Sequence, residues 1–163
     1  MTELEARRGI PDVEALARLL EIGVVIEEYA EEKSARLLSS EVDDAETREV
    51  LLGALDESLE HRDRLVELVA LVGGDVDAET VERRVREAVE SSVDEPTDEA
   101  EALRRQLESE LMAYEFYDSV LDALDEAEMN CVDSREVERV TSTLREIRSD
   151  EMEDARELRE RLG

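Results

Sequence analysis

Near the C-terminus, apolar residues recur at Val137, Val140, Leu144 and Ile147; the same stripe then passes through Glu151 and Asp154 before Leu158 and Leu162. The spacing is helical and predicts a helix that ends at about Leu162. The same reading yields three more long helices and a short one. Pro11 and Asp12 suit a helix start, and the first helix runs to about Ser40. In "VDDAE", Asp43 and Glu46 have capping-box spacing, which opens a second helix from about Ala45 to Val72. Gly73 and Gly74 end it. A short helix from about Ala78 to Val89 precedes a break at Pro96, and Thr97 or Asp98 caps a third long helix that extends to about Glu128. Asp133 and Glu136 repeat the capping-box spacing before the last helix. No alternating β-branched run is bounded by turn signals, so no strand is predicted.

Two short turns and one long connection arrange these elements. Short turns make antiparallel neighbours. A connection of ~24 residues is too long for a tight turn and can carry the chain back along the bundle. The expected fold is all-α: a four-helix bundle of two antiparallel hairpins joined by one long crossover that carries the short helix. The whole chain, residues 1–163, then forms a single domain, with a hairpin over 12–72, a crossover over 73–97 and a hairpin over 98–162.

Polar residues interrupt each predicted inner stripe. The second helix reads Leu51, Ala54, Ser58, His61, Leu65, Leu68, Val72. The third reads Leu103, Leu107, Glu110, Tyr114, Tyr117, Leu121, Leu124. The first reads Val13, Ala17, Leu20, Val24, Glu28, Glu31, Ala35, Leu38, with Glu21 at its border. In an antiparallel hairpin, residues equally far from the turn share a height. Glu110 then lies level with the span between Glu151 and Asp154, and His61 lies within about one turn of both Glu21 and Glu28. All four helices thus place polar groups in the core near mid-length.

An unpaired buried carboxylate costs several kcal/mol. Protonation with mutual hydrogen bonds is one escape, and a bound cation is the other and simpler one. Carboxylate oxygen with imidazole nitrogen suits iron or manganese, and zinc also fits. A lone His61 bonded to a buried neighbour is the plainer alternative.

Charge changes the weight of these acids. The chain carries 48 acidic and 20 basic residues, a formal charge of −28, and Lys33 is its only lysine. The acids lie along every segment, which fits a surface that holds water and cations in strong salt, and the lysine shortage resembles haloarchaeal cytoplasmic proteins. Self-repulsion of this kind destabilises a compact state in dilute buffer and is screened in molar salt. The charge argues against nucleic acid as a partner. No apolar run approaches the ~20 residues of a membrane span. The N-terminal stretch has no apolar signal region, so a cytoplasmic protein is expected. Cys131 is the only cysteine, which excludes an internal disulfide and a cysteine-based metal cage.

The pattern resembles the ferritin-like superfamily, its rubrerythrin-like branch most of all. "ELMAYEFY", Glu110 to Tyr117, resembles the branch's Glu helix with a Tyr seven residues after the Glu. "SLEH", Ser58 to His61, and "EMED", Glu151 to Asp154, occupy the places of two E-x-x-H pairs. The resemblance implies metal ligation by Glu28, His61, Glu110, Glu151 and Asp154, with Glu21 as the other candidate on the first helix. Glu57, Ser58 and Tyr117 are expected beside the site as altered ligands or supporting groups. Ser58 stands where a bridging Glu belongs, and Asp154 where a second His belongs. The implied function is iron binding, one or two ions, with oxidation of Fe(II) or handling of peroxide. The alternative is a non-catalytic bundle that serves as an interaction or stress protein. Metal ions are the expected partners, and a homo-oligomer stays open.

Overall fold

The computed structural model describes residues 10, 12–40, 43–91, 98–126 and 134–163. Among these residues there are five helices and no strand. They are α1 (Val13–Ser39), α2 (Ala45–Leu71), α3 (Ala78–Ser91), α4 (Glu99–Glu126) and α5 (Ser134–Leu162). The fold is thus an all-helical bundle. None of its helices is long and apolar enough to cross a membrane.

The helix starts follow local chemistry. Asp12 accepts from the Ala15 amide at 2.8 Å, and Asp98 accepts from the Glu101 amide at 2.8 Å. Each satisfies a backbone donor that has no partner within the helix. At α2 the cap is Asp44, which accepts from the Thr47 amide at 2.9 Å and from its hydroxyl at 2.8 Å. The predicted Asp43 capping box is therefore shifted by one residue. Thr47 supplies a second bond that Glu46 cannot. Asp77 caps α3 through the Thr80 hydroxyl at 2.8 Å. Gly73 ends α2 at φ 82°, the left-handed region where a side chain is strained. Pro11, Pro96, Thr97, Cys131 and Asp133 lie outside the described residues, as does the expected extension of α4 to Glu128.

α1 packs along α2 and also meets α3 and α4, while α5 packs along α4 and α2. The apolar core divides in two. The larger part joins Leu16, Leu20 and Val24 of α1 to Leu65 and Leu68 of α2, with Tyr117 and Leu121 of α4 and Leu144 and Ile147 of α5. α3 closes it with Val81, one face of a strongly amphipathic helix. The smaller part holds Leu37, Leu51 and Ala102 at the other end of the bundle. The polar residues of interest occupy the layer between these two.

The predicted α1 stripe is rotated, and the α4 stripe keeps Leu103, Glu110, Tyr117, Leu121 and Leu124 but is displaced at two positions. On α1 the buried face runs Leu16, Leu20, Gly23, Glu27, Ala30, Ser34, Leu37. The predicted stripe through Glu28 and Glu31 sits one residue round the helix. On α4 the buried face takes Gln106, Ser109 and Ala113, while Leu107 and Tyr114 are only half-buried. Small and polar residues on the true faces explain both shifts, because the large aliphatics lie beside them.

Candidate metal centre

The layer between the two apolar cores contains His61, 1% exposed, with Glu27 at 1%, Glu151 at 4% and Glu110 at 6%. His61 is held from three helices. Its Nδ1 lies 3.1 Å from Glu151 Oε1 on α5 and 3.5 Å from Glu27 Oε1 on α1. Its Nε2 lies 3.0 Å from Asp150 Oδ2 and 3.7 Å from Glu57 Oε1. The Tyr117 hydroxyl, on α4, donates to Glu27 Oε1 at 2.6 Å. On the other side of the layer, Ser34 donates to Gln106 Oε1 at 3.0 Å, and Gln106 Nε2 donates to Glu110 Oε1 at 2.9 Å. All four long helices therefore contribute to one polar section.

Three groups of donor atoms gather within 4.8 Å of one another. They are Glu27 with His61 and Glu151; Glu110 with Glu151 and Asp154; and Glu57 with His61 and Asp150. Glu151 belongs to the first two groups and connects them. Asp154 Oδ2 is buried, and the Asp154 carboxylate shares a hydrogen bond with Glu57.

Electrostatics follow from crowding. Burial, then the hydrogen bond Glu151 donates to Glu110 and the charge of Glu27, push the Glu151 carboxyl well up from its ordinary range. Burial raises Glu110 as well, against the lowering effect of its bonds to Glu151 and Gln106. Glu57 is pushed up to about 10, first by burial and then by Asp154. Asp154 is raised chiefly by burial. For His61, burial opposes the charged form, but hydrogen bonding and charge from Glu27, followed by Asp150, outweigh it and raise the pKa. Burial and the neighbouring Glu27 carboxylate drive the Tyr117 phenol well above 10.0.

The residues expected from sequence divide clearly. His61, Glu110, Glu151 and Asp154 are brought together, and Glu57 joins them from α2. Ser58 is buried on the same helix, and Tyr117 reaches the cluster through Glu27. Glu28 and Glu21 are not brought in. Glu28 is only half-buried and is influenced by Arg62, Glu31 and Glu82, so the first-helix position passes to Glu27. One residue is ~100° on a helix, enough to exchange a core position for a flank. Asp150, Gln106 and Ser34 were not legible as site residues. The signal for Glu27 was the run of small residues at Gly23, Ala30 and Ser34 on its own face.

No protein-family model matches the chain, and neither a curated protein nor a solved structure does.

Proposed function

We propose that this chain is a ferritin-like metal-binding bundle, with iron as its ion and manganese or zinc as substitutes. Glu151 carries the reading: a carboxylate 4% exposed whose oxygens gather with Glu27 and His61 on one side and with Glu110 and Asp154 on the other, inside a layer of acids whose bonding partners are one imidazole, one phenol, one amide and one another. Crowding ionised carboxylates in the core costs several kcal/mol, and a cation removes the cost. The donors also fit the ion, since carboxylates with one imidazole match a hard or borderline divalent metal.

The order of interhelix bonds supports the two-hairpin topology. Along α5, partners fall in number as those on α2 rise: Glu151 meets His61, and Glu146 meets Arg64. The same inverse order relates α1 to α4, with Ser34 against Gln106 and Glu27 against Tyr117.

The side chains have separable roles in this reading. Glu110, Glu151 and Asp154 hold one ion, and Glu27 and His61 offer a second place that shares Glu151. Ser58 gives no bridging carboxylate between the two, so the oxygen-rich place is the tighter. Asp150 accepts the His61 Nε2 proton, and loss of the Nδ1 proton would give a bound ion a lone pair beside Glu27 and Glu151. Tyr117 orients Glu27, and Gln106 orients Glu110. The two apolar cores lie above and below the layer. Iron held there would supply electrons to oxygen or peroxide. Because the carboxyls must lose protons to bind it, affinity should weaken as pH falls.

Anaerobic calorimetric titration with Fe(II), Mn(II) and Zn(II) in molar KCl tests the proposal. Binding by the wild type that Glu151→Ala abolishes supports it. No heat of binding with any of the three would leave the bundle a scaffold.

A further inference from the structure

A cavity of about 440 Å³ opens between α2 and α5 and runs inward to α4. Its rim is exposed and includes Glu49, Gly53, Glu157 and Arg161. Its inner wall is formed by Glu57, Glu110 and Asp154, which are members of the acidic layer. From this geometry we infer that the cavity is the route by which a divalent cation enters the oxygen-rich half of the centre, with Gly53 keeping it open and Arg161 tempering its charge. The inference rests on the metal-binding reading.

Gly53 supplies an independent argument. It lies inside α2, where glycine costs about 1 kcal/mol relative to alanine. Packing does not require it, because a Cβ at this position would meet nothing within 4 Å. Its φ is not positive, so backbone conformation does not require it either. What glycine leaves at that point is open space on the rim of the cavity. A larger side chain would fill the entrance without disturbing the helix interfaces.

Arg161 is the basic group on the rim. It pairs with Glu157 at 3.3 Å on its own helix and with Glu46 of α2 at 3.8 Å. It therefore ties α5 to α2 beside the entrance. A narrow cleft walled by one sign of charge concentrates the opposite ion and raises its rate of arrival. Glu49 and Glu157 at the rim carry that charge for a cation, and Glu57, Asp154 and Glu110 line the path behind them with oxygen donors. Arg161 opposes it at the outer end.

The test is stopped-flow uptake of Co(II), read by its visible absorbance, paired with calorimetric affinity and apo melting temperature. Gly53→Leu should slow uptake several-fold, because its side chain fills the entrance, with an unchanged dissociation constant. Its apo melting temperature should rise, because a good helix former replaces glycine. Arg161→Gln should accelerate uptake several-fold in dilute salt and lose that advantage in molar KCl. If the wild type takes up Co(II) and both variants match its rate, the entry route is wrong while the metal centre stands. If the wild type takes up none, the metal reading itself fails.

Discussion

Replacing Glu151 by glutamine should stabilise the metal-free protein while it destroys the site. Glu151 is 4% exposed and faces Glu110, Glu27 and His61. Without a cation it must either stay ionised among other acids or take up a proton. The second course sets a ceiling on the penalty. Holding a proton at pH 7 on a group whose ordinary pKa is 4.5 costs about 3 kcal/mol. Glutamine has the shape of the neutral form and pays none of this. Its carbonyl can accept from the His61 ring, and its amide can donate to Glu110, so the existing bonds keep partners. The gain at pH 7 should therefore lie between about 1 and 3 kcal/mol, or roughly 3–10 °C in melting temperature for a domain of this size. The sign follows from linkage. The folded pKa is raised, so wild-type stability is complete below 4.5 and falls as pH rises toward the folded value. The advantage of Glu151→Gln should vanish near pH 4.5 and grow toward neutrality. Thermal unfolding followed by circular dichroism, in chelator and molar KCl from pH 4.5 to 8, measures it. A variant less stable than wild type at pH 7, or an offset that ignores pH, would refute the reasoning.

Two further outcomes come from the same structure. Tyr117→Phe keeps the packing of a fully buried ring but removes the hydroxyl that donates to Glu27, so the metal-free fold should lose about 2 kcal/mol by chemical denaturation. The −28 charge should make the melting temperature climb steeply from dilute buffer to molar KCl, and a flat salt series would count against the screened-surface account.

Sequence carried the elements further than it carried their phase. α2 and α5 were readable because their core faces combine large aliphatics with a few conspicuous intruders: His61 between Ser58 and Leu65, and Glu151 after Ile147. Caps located the starts of α1 and α4 through Asp12 and Asp98. α1 failed in rotation because its buried face is built of Gly23, Glu27, Ala30 and Ser34, none of which announces a core to a count of large apolar residues. With adjacent glutamates at 27 and 28, a one-residue slip selected Glu28 instead of Glu27. Asp150 was invisible for a different reason. Its side chain is 41% exposed, and only the tertiary approach of α5 to α2 brings it to His61.

Metal content measures most directly whether the polar layer holds a cation. Protein purified in molar salt, loaded anaerobically with Fe(II) and freed of excess, should retain between one and two irons per chain by emission spectroscopy. Glu151→Ala, treated identically, should retain none. Wild-type protein that emerges with no iron, manganese or zinc would contradict the account.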